Sequence, residues 1–177
     1  MIWHLPYLAA IVVLGVVVVL WWLSRTKVTP KSAPVAMMPQ RVTFDEGIRP
    51  ADGDHALVRL DKPDELVIPF EHAILIIDYP LTSPAKVPIS APLSIGFTRA
   101  ALVRAICDEY MHVYAAEEGT SAIQPKPRDE RADTERRGRT DGAYGIWGHD
   151  LEDLVVTAAR WTREADGTIK IELSVSA

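Results

Sequence analysis

The chain has a single cysteine, Cys107, in 177 residues, so no intrachain disulfide can form. That usage agrees with a reducing compartment. Cys107 lies among apolar residues of helical spacing, which suits a buried structural thiol better than a nucleophile. An excess of positive charge is also missing. Against 24 Asp and Glu stand 19 Lys and Arg, for a formal net charge of −5. This excludes the electrostatic footprint of a nucleic-acid binder and disfavours a domain lying flat on anionic lipid. Internal repeats and lipidation signatures are absent. So are paired histidines at i,i+4 around a glutamate and a strand–turn–helix elbow around a serine, which leaves metalloprotease and α/β-hydrolase chemistry without a motif.

The most informative absence is local. From Leu5 to Leu23 the sequence LPYLAAIVVLGVVVVLWWL holds no Asp, Glu, Lys, Arg or His. Nineteen helical residues span roughly 29 Å, close to the hydrocarbon thickness of a bilayer. Twelve of them are Leu, Ile or Val, and their insertion gains on the order of 4 to 7 kcal/mol. The run is apolar all round rather than striped. Trp3 and Tyr7 mark one interface, Trp21 and Trp22 the other. WWLSRTK follows in place of a small-x-small cleavage site, so residues 1–23 are expected to remain as an anchor rather than leave as a signal peptide. Arg25, Lys27, Lys31 and Arg41 flank its C-terminal side, which predicts a single-pass protein with the N-terminus outside and the following domain cytoplasmic.

Residues 24–41 place Pro30, Pro34 and Pro39 among small and polar residues and are expected to be a tether. Residues 42–177 suffice for one soluble domain with its own core. Within it, His55 to Leu60 is expected as a short strand, with Leu66 to Phe70 pairing back. Ala73 to Tyr79 suits a strand buried on both faces, and Lys86 to Ala91, with Pro88 inside it, an edge strand. Thr98 is placed to N-cap a helix whose stripe is Leu102, Val103, Ile106, Tyr110, Val113 and Tyr114. Arg104 and Asp108 form an i,i+4 pair on it, and Gly119 is the natural stop. Glu117 and Glu118 put two acids in the last turn against the helix dipole, a local conflict of the kind that marks sites. Residues 120–141 are rich in charge and polar residues and are expected to be a mobile, solvated loop; Arg136, Arg137 and Arg139 in it are available to lipid headgroups. Val155 to Thr162 and Thr168 to Val175 alternate around Asp166-Gly167 as a hairpin. The sum is an α+β fold, a small antiparallel sheet with one main helix packed on it.

Between loop and hairpin lies Asp141-Gly-Ala-Tyr-Gly-Ile-Trp-Gly-His-Asp-Leu-Glu-Asp-Leu154. Gly142, Gly145 and Gly148 permit positive φ and close backbone approach, and large rings alternate with titratable groups. Gly96-Phe-Thr-Arg-x-x-Leu, Tyr110-x-x-x-Tyr114-x-x-Glu117-Glu118 and Tyr144-Gly-Ile-Trp-Gly-His-Asp-Leu-Glu-Asp-Leu154 resemble the pattern of a family of small uncharacterised proteins. The resemblance covers roughly residues 73–175 and implies a shared fold; it carries no activity.

Two functions from different classes follow from this stretch. In the first, the anchored domain binds a protein or a small ligand in a groove lined by Tyr144, Trp147 and His149, with Tyr110 and Tyr114 nearby. In the second, a hydrolase-like enzyme uses His149 as general base with Asp150, Glu117 or Glu118. A bland alternative stands beside both: Trp147 fills the core, His149 satisfies a backbone carbonyl and Asp150 caps one helical turn. The spacing of His149, Asp150, Glu117 and Glu118 matches no metal motif, so neither metal nor cofactor is assigned. The expected partners are the bilayer, through residues 5–23, and that protein or small ligand; no nucleic acid is expected.

Overall fold

The computed structural model describes residues 38–177. The expected anchor at 1–23, and the expected tether up to residue 37, lie outside the described residues. Among the described residues, no helix is long and apolar enough to cross a membrane.

The fold is α+β. Five strands form the main sheet, in the order β1 (Gln40–Ile48), β6 (Val155–Arg163), β7 (Ile169–Ser176), β3 (His72–Ile77), β4 (Ala85–Ser90). A small second sheet pairs β2 (Leu66–Ile68) with β5 (Phe97–Thr98). The main helix α1 covers Arg99–Thr120. Its stripe of Leu102, Val103, Ile106, Tyr110, Val113 and Tyr114 is buried, and joins Leu75, Ile77, Val156, Trp161 and Ile171 in one apolar cluster. Cys107 is fully buried with them, and burial pushes its thiol up to about 12, far from thiolate chemistry.

Local chemistry explains the ends of α1. Thr98 accepts a hydrogen bond from the Ala101 N–H at 3.2 Å. Two more free N–H groups, of Arg99 and Ala100, donate to the carbonyls of Glu65 and Pro63, so the turn before β2 satisfies donors that a helix start leaves open. At the far end the helix runs past Gly119 to Thr120 and stops at Ser121. Gly119 is therefore not the stop. Thr120 instead donates its hydroxyl to the Ala116 carbonyl, and Asp141 accepts from Ser121 and from the Ala122 and Ile123 N–H groups. The Ser121 N–H donates to the Glu117 carbonyl at 2.8 Å, and Asp141 fixes the chain just beyond the helix.

The hairpin β6–β7 forms where alternation and Asp166-Gly167 place it, and β4 is an edge strand that carries Pro88. Five other expectations are corrected. The sheet is mixed rather than antiparallel: β3 runs parallel to β7, with Leu75 opposite Ile171. Alternation within a strand records its buried face, not the direction of its neighbour, and the long connection through α1 permits the parallel pairing. In β3, Ala73, Leu75 and Ile77 are buried, but Ile74 and Ile76 are only half-buried, so one face alone meets the core. His55 to Leu57 belongs to a 3-10 helix over Pro50–Leu57, and β2 pairs with β5 rather than with that segment. Arg104 pairs with Asp54 at 3.0 Å, not with Asp108. Gln40 and Arg41, assigned to the tether, already belong to β1, whose Val42 and Phe44 are buried.

Gly96 enters β5 with φ +122°, and a Cβ there would stand 2.1 Å from the Ile68 carbonyl oxygen. Gly96→Ala should therefore cost at least about 2 kcal/mol, through both strain and the β2–β5 pair. Urea denaturation of the two proteins checks this; a change under about 0.5 kcal/mol, the size of an ordinary surface substitution, would contradict it.

Candidate functional site

Glu117 sits one turn from the end of α1 and is fully buried. Its carboxylate accepts three backbone N–H groups from the glycine-rich stretch: Gly142 at 2.8 Å, Tyr144 at 2.7 Å and Gly145 at 3.0 Å. Burial alone would raise its pKa, but the Thr140 hydroxyl and the three N–H groups outweigh it and hold the carboxyl below its usual range. The charge that opposes the helix dipole is thus neutralised by donors from outside the helix. Gly142 has no room for a side chain: a Cβ would lie 2.7 Å from the Glu117 carbonyl oxygen and from the Thr120 hydroxyl. Thr120 adds a fourth clamp by accepting the Ala143 N–H at 2.9 Å.

From this anchor point the chain threads between two others. The Tyr144 and Gly145 carbonyls accept from Thr82 and Ser83, and the Trp147 N–H donates to the Pro80 carbonyl at 3.1 Å. On the other side, Thr140 N–H donates to the Ile146 carbonyl and Gly148 N–H to that of Arg137. Gly145 and Gly148 take φ of +66° and +76° along this path. Ile146 goes fully inside, while Trp147 stays 40% exposed. Trp147 is therefore not a core filler. It stands edge-on to Tyr79, ring centroids 5.6 Å apart, and His149 lies 5.6 Å from Tyr79 and 6.2 Å from Trp147. These three rings make a partly exposed aromatic platform.

Tyr110 and Tyr114 are not part of that surface. Tyr110 is fully buried and donates to the Tyr79 carbonyl at 3.0 Å. Tyr114 donates to the His149 carbonyl at 3.1 Å and lies under the Arg137 guanidinium. Burial raises both phenols. These two tyrosines hold the platform from below, through the carbonyls of two of its members.

Behind His149 is a cluster of charge. Asp150 is buried and paired with Arg131 and, at 3.3 Å, with Arg137. Asp153 pairs with Arg128 at 2.8 Å and accepts the Asp150 N–H at 3.0 Å, closing the single 3-10 turn Leu151–Asp153. Asp150 heads that turn as expected, but its carboxylate serves the arginines. The arginines come from residues 120–141, where sequence composition pointed to solvation. Arg131 and Arg137 each leave only 6% of the side chain exposed. Charge density alone could not reveal this, because the partner that buries them is the Asp150 of a later segment. Glu118 is exposed, 3.9 Å from Arg137.

The sequence-derived site residues thus fall into three groups. Trp147 and His149 share the platform, and Tyr144, three residues before Trp147, is half-buried. Glu117 is taken up by backbone, with no hydrogen bond to His149, and Asp150 by arginine. Among the described residues no hydrogen bond reaches the His149 ring, and no three His, Cys, Asp or Glu side chains converge as metal ligands. Tyr79, Arg128, Arg131 and Arg137 are the additions; Tyr79 was hidden at the end of a strand, where ring exposure has no sequence signal. No protein-family model, no curated protein and no solved structure matches the chain.

Glu117→Gln should lower stability at neutral pH by about 2 to 4 kcal/mol, because an amide cannot accept three N–H groups and turns a donor toward them. A carboxyl lowered in the fold contributes stability that is present above the unfolded value and lost as pH falls through the folded one. The gap between wild type and Glu117→Gln should therefore narrow as pH falls from about 5 to about 3. Denaturant melts across that range check the sign; a gap that stays constant or widens would contradict it.

Proposed function

We propose that this chain is a membrane-anchored cytoplasmic binding domain, held in the bilayer by Leu5–Leu23, that presents Tyr79, Trp147 and His149 to a protein or small ligand. The observation that carries the reading is the exposed Trp147 on a backbone fixed from three sides. Keeping a large ring in water on a rigid frame costs apolar burial, and such rings are common energetic centres of recognition. The resemblance over roughly residues 73–175 supports membership of the family that shares the pattern; Glu117 and Gly145 of its motifs are joined by a hydrogen bond.

The hydrolase-like reading has less support. Among the described residues His149 has no carboxylate partner to orient it, since Glu117 is saturated by N–H groups and Asp150 by guanidinium groups. The positive flank of Arg25, Lys27 and Lys31 supports the cytoplasmic placement.

The tests use the full-length chain in cells. It should sediment with membranes and require detergent for release, and a reporter fused at Ala177 should be active in the cytoplasm. Unprocessed protein in the high-speed supernatant would contradict the anchor. Proximity labelling should yield neighbours that Trp147→Ala loses at least about tenfold, as expected for a hot-spot ring, while its melting temperature stays near wild type. Neighbours indifferent to Trp147→Ala would remove the platform from the account.

A further inference from the structure

The buried arginines are under-satisfied. Each guanidinium has five donors and no acceptor. Asp150 gives one oxygen to Arg131 and the other to Arg137. That leaves the Arg131 Nε and the Arg137 Nε and Nη2 buried, with no hydrogen-bond acceptor among the described residues. Two cavities of about 580 Å³ each flank the cluster. Arg128, Arg131, Arg137 and Asp150 line both; His149 borders one, Tyr114 and Glu118 the other. Arg137 is further held in place by its stack on Tyr114, 5.4 Å from the ring centroid. Cationic donors fixed by packing, short of acceptors and next to open volume are the reverse image of a tetrahedral oxyanion.

We infer that Arg131 and Arg137, with Arg128 at the rim, form a binding site for a phosphoryl group. The donors left open on two guanidinium groups call for several acceptor oxygens on one small centre, which phosphate supplies and a single carboxylate supplies less well. Carboxylates compete for these guanidinium groups: Asp133, Glu135 and Asp153 also line one cavity and Glu152 the other, and Glu118 is the one beside Arg137 Nη2. Its carboxylate, 58% exposed, stands 3.9 Å from Arg137 Nη2, near enough to repel an incoming anion and free enough to swing away. The inference deepens the binding reading, and rests on it only in placing the ligand beside His149. The phosphoryl group has two possible sources, a soluble phosphate compound or a lipid headgroup. The deep position of both arginines favours the soluble one.

Isothermal titration of the full-length chain in neutral detergent and low salt, with inorganic phosphate as probe, tests the site. One phosphate per chain should bind saturably at millimolar concentration or below. Arg137→Lys should weaken it at least about tenfold, by losing the planar donor fork. Glu118→Gln, at an exposed position that leaves the fold intact, should tighten it about threefold by removing the like charge. If Arg137→Lys fails to fold, Glu118→Gln decides alone. No saturable binding up to about 10 mM, or equal binding by all variants, would overturn the inference. Mixed micelles of the same detergent with phosphatidic acid, added to wild type, should not displace bound phosphate; full displacement would overturn the soluble source. Phosphate binding lost while Trp147→Ala still erases neighbours would sink the oxyanion site alone; the converse would sink the platform alone.

Discussion

One carboxylate organises the functional half of this domain. Glu117 is at the end of the only long helix among the described residues, and it is fully buried. A charge in that position is tolerable only when hydrogen bonds replace the lost water. Three N–H groups of a glycine-rich turn do so. The dependence runs both ways. The turn has a backbone path that no regular element pairs, so its donors also need an acceptor. Gly142 follows from this contact, because a side chain there would collide with the helix end. So does the platform: Trp147 and His149 follow Gly145 by two and four residues, and their orientation is set where Gly145 is held.

Much of the architecture was visible in the order of residues. The stripe of α1, the Thr98 cap, the edge character imposed by Pro88 and the alternation of β7 are local patterns that report local surroundings, and each is found in place. The parallel pairing of β3 and β7 was not visible, since nothing in either strand records neighbour direction. Gln40–Ile48 was legible in principle, because Val42 and Phe44 alternate, but the proline-rich residues before it drew the boundary too far along. The 3-10 helix over Pro50–Leu57 has turn chemistry and no period to announce it.

The site was legible in a different sense. Two glutamates in the last turn of a helix conflict with its dipole, and glycines spaced through Gly142–Gly148 signal unusual backbone. Each signal was readable; that the one answers the other, across an interval of about 25 residues, is tertiary information. Arg131 and Arg137 are the harder case. In a segment of mixed charge they look identical to the exposed Arg136 and Arg139. Only the fold distinguishes them, by placing Asp150 where it can neutralise two and leave the others in water. Tyr110 and Tyr114 illustrate the opposite error: periodicity correctly made them core, and that same burial removes them from the aromatic platform.

The account therefore turns on Glu117 as the acceptor that holds the glycine-rich turn. The most direct measurement is amide hydrogen exchange at Gly142, Tyr144 and Gly145, residue by residue, in wild type and in Glu117→Gln. Wild type should protect all three. In the variant they should lose protection by at least about tenfold, as local opening becomes easier by more than 1.4 kcal/mol, while amides of β6 and β7 change far less. Unchanged exchange at those three positions, in a variant that is otherwise folded, would contradict it.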